Sequence, residues 1–298
     1  MRRSTSILAV SDVELAHPIA FEYGLALARE RGAELHVIHP VPPDHPLSYR
    51  SAERFNRLVD LRRRAEAAGV AIQVSLRHGE PAEIVAEYAD ARAVDLVVVG
   101  AEARTGWARL APRSLADAVV RVIRQPTLVL PAAIVDDPHR FERVVVAVDR
   151  LEGAGGLIEA ATIALGGGAR DLTIVHGVDS LAASDAVTIR ARWVVPEFRD
   201  HVIADARRDL AAAVEPHLDG GVGARLHVAA GPAVETITKA AAEATADLVV
   251  VGGSRRFRHW TSVTSRLIRR AELPLLVIPD EAIEAARRAS DVARARVA

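Results

Sequence analysis

Residues 95–100 read DLVVVG, and residues 247–252 read DLVVVG again. Six identical residues are not expected by chance within one chain of 298. Each copy is a short β-branched run ending in glycine, the pattern of a parallel strand covered on both faces. The neighbourhoods repeat as well. ILAVSD (7–12) matches VVAVD (145–149) and sets Asp12 against Asp149 at an offset of 137. AELHVIHPV (33–41) matches RDLTIVHGV (170–178) and sets His39 against His176 at the same offset. HGEPAEIV (78–85) matches AGPAVETI (230–237) and sets Gly79 against Gly231 at 152, the offset that DLVVVG shares. RQPTLVLP (124–131) matches AELPLLVIP (271–279) and sets Pro126 against Pro274 at 148. Self-similarity at fixed offsets marks a duplicated structural unit.

The second copy therefore carries 15 extra residues between its second and third strands, around 183–200, and four fewer after DLVVVG. The expected domains are residues 1–131 and 141–279, joined by a linker at 132–140. The tail at 280–298 is rich in Ala and Arg. It reads as a helix polar on most faces, with no function assigned.

Each half alternates β-branched runs with helical stretches. In the first half the runs are SILAV, ELHVIH, AIQVSL, DLVVVG and PTLVLP. The stretches between them keep apolar residues at i, i+3 and i+4, and LALARERG and RRRAEAAG end in glycine, a usual helix stop. Strand–helix alternation of this kind predicts an α/β fold with a doubly wound, five-stranded parallel sheet in each half. Such sheets bind ligands beyond the carboxyl ends of their strands, where the strand order reverses. Asp12, His39, Gly100 and their second-half counterparts fall there.

Composition narrows the function classes. Half of the residues are apolar and 26% are charged, a globular balance. With 38 basic and 39 acidic residues, no broad basic field invites nucleic acid. There is no cysteine, which removes disulfides and thiolate metal sites. The amino-terminal MRRSTSILAVSD has a four-residue apolar run, too short for a signal peptide. No apolar stretch approaches the ~18 residues of a membrane span. The expectation is a cytoplasmic protein with neither a membrane nor a nucleic-acid partner. Lys239 is the only lysine, so no Gly-Lys-Ser/Thr phosphate loop exists. Lys239 sits in AVETITKAAAEA, an apparent helix where an ordinary surface lysine is the plain reading. No G-x-G-x-x-G follows a strand, and neither G-x-S-x-G nor a H-E-x-x-H metal motif occurs. The chain does not read as an enzyme; at most it would support weak ATP hydrolysis.

These runs together resemble a tandem universal stress protein, two such domains in one chain. The resemblance is carried by ILAVSD, the strand ending in His39, GEPAEIV, DLVVVG and SLADAVVRVIRQPTLVLP, and in the second half by TSVTSRLIRRAELPLLVIP. It implies an adenine nucleotide alpha-hydrolase-like fold, with the two domains packed as a pseudo-dimer through PTLVLP and PLLVIP. It also implies a homodimer of chains. It further implies binding of ATP or another adenine nucleotide, with Mg accompanying ATP. An aspartate ending the first strand would meet adenine, which carries over to Asp12 and Asp149. The backbone after the second strand's histidine would do likewise, which carries over to Pro40 and Gly177. A loop of pattern G-x2-G-x9-G-[S/T] would wrap ribose and phosphates. Glycines there let backbone N–H groups approach phosphate, and the helix amino terminus adds partial positive charge.

In the first half that pattern falls on Gly100, Ala103, Arg113 and Ser114, a loop of full length with Arg104 and Arg109 inside it. Pro40 has no N–H to offer adenine. In the second half it falls on Gly252-Gly253 and Thr261-Ser262, in a loop four residues shorter that holds Arg255, Arg256, Arg258 and His259. Plain readings stand beside the functional ones. The aspartates could be strand-end residues or helix caps. Gly100 and Gly252 could mark turns needing positive φ. Ser114 and Ser262 would cap helices in any case, and His39 and His176 would satisfy local hydrogen bonds. The alternative function is a member that has lost ATP binding and acts through dimerisation, partner binding or another anion.

Overall fold

The computed structural model describes residues 5–10, 18–43, 51–101, 114–131, 141–167, 169–178, 196–218, 223–253, 263–270 and 272–295. The first repeat forms β1 (Ser6–Val10), α1 (Ile19–Arg31), β2 (Glu34–Val41), α2 (Ser51–Ala67) and β3 (Ile72–His78). It continues through α3 (Pro81–Ala91), β4 (Leu96–Ala101), α4 (Leu115–Val122) and β5 (Thr127–Pro131). The second forms β6 (Arg143–Val148), α5 (Ala154–Leu165), β7 (Asp171–Val178), α6 (Pro196–Val214) and β8 (Gly223–Ala230). It closes with α7 (Ala233–Glu243), β9 (Leu248–Gly253), α8 (Val263–Arg270) and β10 (Leu275–Pro279), followed by α9 (Asp280–Ala295). Each apolar run of the sequence is a strand. Of the 15-residue insertion, only the part inside α6 lies within the described residues.

The chain separates into two compact units. In the first, β3, β2, β1, β4 and β5 lie side by side and parallel. The chain moves outward from β1 to β3 and then returns to the far side of β1, so the order reverses between β1 and β4. The second unit repeats this with β8, β7, β6 and β9, and its reversal lies between β6 and β9. Strand β10 groups with the first unit and pairs antiparallel with β5, setting Leu275 on Val129, Leu276 on Leu128 and Val277 on Thr127. This is the pairing expected of PTLVLP with PLLVIP. It covers an edge of β5 that would otherwise present unpaired backbone groups.

The cores follow from the runs. Ile7, Leu8, Val97, Val98 and Leu128 are wholly buried in the first unit, and Val145, Ile174, Leu248 and Val250 in the second. Each such side chain contributes roughly 1.5–3 kcal/mol over an exposed one. The repeat extends to backbone conformation. Gly79 and Gly231 hold φ of 146° and 140°, each in the turn before a proline-initiated helix start. Ala93 and Thr245 share a left-handed conformation, φ 49° and 46°, at the exits of α3 and α7.

The aspartate of DLVVVG also repeats its role. Asp95 accepts from the Ser6 backbone N–H at 2.8 Å while its own N–H donates to the Ser6 carbonyl at 2.9 Å. Asp247 accepts from the N–H groups of Glu142 (3.0 Å) and Arg143 (3.1 Å) and donates to the Arg143 carbonyl at 2.9 Å. In both units the motif's first residue thus fastens the start of the central strand. Among the described residues, no helix is long and apolar enough to cross a membrane.

Candidate functional site

In the first unit the strands flanking the reversal end at Val10 (β1) and at Gly100–Ala101 (β4), with β2 ending at Val41. Gly100 is buried and pairs with Leu130 of β5. Ser114 is the N-cap of α4, its hydroxyl accepting from the Asp117 N–H at 3.2 Å. Asp117 is itself buried and held by Arg121 at 3.3 Å. Ser114 thus anchors the start of α4, where unsatisfied N–H groups carry partial positive charge. Pro40 is buried inside β2, opposite Arg77 of β3. The Val41 carbonyl after it already accepts from the Gly79 N–H at 2.9 Å. His39 is 3% exposed.

In the second unit β6 ends at Val148, and Asp149 comes next with its side chain 80% exposed. Its carboxylate accepts from the Arg150 N–H at 2.8 Å. Asp149 does not cap the 3-10 turn beyond it (Leu151–Gly153), whose N-cap is Arg150. The Arg150 guanidinium lies 3.8 Å from both Asp149 and Asp280. His176 Nδ1 shares a 2.9 Å hydrogen bond with the Val148 carbonyl, the local role expected of it. Gly177 has ordinary room: a Cβ would lie 3.7 Å from the Ala233 Cα. The Val178 carbonyl accepts from the Gly231 N–H at 3.3 Å, repeating the Val41–Gly79 bond.

Two expectations need correction. Gly100 and Gly252 do not mark turns of positive φ; both lie in strands that continue through Ala101 and Gly253. The Gly252 carbonyl accepts from the Thr264 hydroxyl at 3.1 Å, and a Cβ on Gly252 would meet Ile283 at 3.6 Å. Gly253, grouped with the first unit, stands against β10, where a Cβ would come within 2.7 Å of Val277. Packing accounts for that glycine without a ligand. Asp12, Arg104, Arg113, Thr261 and Ser262 lie outside the described residues, as do the arginines between them in both loops.

The profile of the universal stress protein family matches residues 5–131 and again residues 140–279. The chain belongs to the universal stress protein family. It is generally a non-enzymatic, stress-response family. A universal stress protein of Methanocaldococcus jannaschii is 29% identical over 133 residues, covering 40% of this chain and 76% of that one. A universal stress protein of Archaeoglobus fulgidus has a similar fold over 93% of this chain and 99% of its own, with a TM-score of 0.62 and 18% identity. A functionally unknown protein of Pseudomonas aeruginosa is alike over 97% of both chains, with a TM-score of 0.62 and 19% identity.

In this tandem universal stress protein Gly100 lies near the end of β4 and Ser114 at the start of α4, while Asp149 follows β6 and Gly252 lies near the end of β9. Sequence reasoning read α9 as a helix but missed its docking on α5. Its signal was Gly155-Gly156, two consecutive glycines in the first turn of α5, where a helix is normally free of them.

Proposed function

We propose that this tandem universal stress protein is a stress-response regulator that takes ATP or another adenine nucleotide in its first half. The observation that carries the reading is the reversal between β1 and β4. There Gly100 is buried next to the last residue of β4, and Ser114, the N-cap, opens the next helix. The thirteen residues between them have the family loop's length and carry Arg104, Arg109 and Arg113. Guanidinium groups grip phosphate bidentately and offset the loss of two loop glycines. Asp12, two residues past β1, is the adenine contact in this reading, and Mg accompanies the triphosphate.

Calorimetric titration of the full chain with MgATP tests it. Binding is expected, and Arg104→Ala or Arg113→Ala should weaken it about tenfold, the loss of one charge-assisted hydrogen bond. No heat at millimolar ATP would overturn the reading. It would favour the alternative, a member that serves another anion or a partner. Pro40 and the committed Val41 carbonyl support that alternative, because they reduce what β2 offers adenine.

A further inference from the structure

The carboxyl-terminal helix α9 begins directly after β10 and packs along α5. Ile283 is seated against glycines at the start of α5 and at the end of β9, the two sides of the reversal in the second unit. A Cβ on Gly156 would stand 2.6 Å from the Ile283 carbonyl oxygen and 3.2 Å from the Arg287 Cβ. At the end of β9, Ile283 comes within 3.6 Å of the place where Gly252 would carry a Cβ. Gly153 lies beside the same side chain, at 4.0 Å. Asp280 reaches Arg150, the neighbour of Asp149, at 3.8 Å. At the far end Arg294 donates to the Pro216 carbonyl at 3.1 Å and stands 3.6 Å from Glu159, which also bonds His217 at 2.5 Å. The His217 ring lies where a Cβ on Gly155 would be. At the repeat offset of 137, the first half has Pro18 and Ile19 in place of Gly155 and Gly156. Consecutive glycines weaken a helix, so what they supply here is the space in which α9 and His217 sit.

We propose that α9 is a strap that closes the second half's strand-end crevice, so that the full chain takes nucleotide in its first half alone until α9 lifts. This rests on the nucleotide reading above. The chemistry is exclusion on two counts. Ile283 fills the approach to Gly252, and Asp280 with Glu281 places two carboxylates in the first turn. One of them occupies Arg150, the cation a phosphate would otherwise meet. The strap is suited to release, because its ion pairs are partly exposed and long, at 3.8 and 3.6 Å, and so hold weakly.

The test uses the full chain and two variants, Ile283→Asp and Gly156→Ala. The first sets a carboxylate among the glycines; the second pushes the Ile283 carbonyl away while improving the propensity of α5. Circular dichroism checks the fold, amide exchange over 280–295 reads the helix, and calorimetry with MgATP counts sites. The expected result is one ATP per native chain, and in the variants faster exchange over 280–295 with two ATP per chain. One ATP per chain with the helix released would overturn the strap alone, as would two ATP per native chain. Unchanged exchange in both variants would overturn the seating on Gly156. No ATP in any form would overturn the nucleotide reading and the strap with it. Should Ile283→Asp fail to fold, Gly156→Ala decides.

Discussion

Asp95 and Asp247 show how a residue can be visible in the sequence while its work is not. Both open the repeated motif, yet the backbone each one binds lies 89 and 105 residues away. No local pattern reports a partner at that distance. Replacing either by Ala should cost about 1.5–3 kcal/mol, the scale of hydrogen bonds to a charged group. Urea unfolding of Asp95→Ala and Asp247→Ala would measure it, and midpoints equal to that of the native chain would contradict the clamp. His36 is a second such case. It is buried in β2, between β1 and β3, and shares a 2.9 Å hydrogen bond with the Tyr88 hydroxyl. Burial chiefly lowers its pKa below the usual histidine value; Arg92 lowers it further, while Glu34 opposes the shift. The unfolded chain therefore binds a proton the fold resists. Stability from neutral His36 is fully present above about pH 6.5 and is lost as pH falls through that value. The urea midpoint should drop between pH 7.5 and pH 5.5, and the drop should shrink in His36→Gln. An undiminished drop in that variant would place the pH dependence elsewhere.

At the scale of elements, strands were read well and turns less well. Continuous β-branched runs declare a buried parallel strand through composition alone, so nine of the ten described strands correspond to quoted runs; β8, GARLHVAA, has no such run and was not quoted. Turn conformation depends on what the next element packs against. Gly100 and Gly252 looked like turn residues and are extended, while left-handed backbone sits at Ala93 and Thr245, where no glycine advertises it. A β-branched residue in that region costs roughly 1–2 kcal/mol. Thr245→Gly should raise stability by about 1 kcal/mol, once the extra freedom of the unfolded glycine is set against the relief. An unchanged or lower melting temperature would contradict it. Ser114→Ala should cost about 1 kcal/mol as a lost N-cap. The tail α9 was legible as a helix from its Ala and Arg content. Its docking was not, because the seat is made by the absent side chain at Gly156, and an absence carries no periodicity.

At the scale of the whole molecule, duplication explains most of what the sequence disclosed. Both repeats fold with the same strand order, the same reversal and the same paired backbone conformations. Duplicated halves conserve what packs, and Val97–Val99 with Val249–Val251 are buried in both. The halves diverge just beyond the glycine that ends each motif. The first repeat has a full-length loop there; the second has a shorter one, and α9 is seated beside its Gly252. The central claim is therefore that the two halves are unequal toward nucleotide. The most direct measurement is calorimetry of MgATP binding to the full chain, to Asp12→Ala and to Asp149→Ala. The account predicts one ATP per chain, weakened about tenfold by Asp12→Ala and unchanged by Asp149→Ala. Absence of binding, or loss of affinity that tracks Asp149 instead, would contradict it.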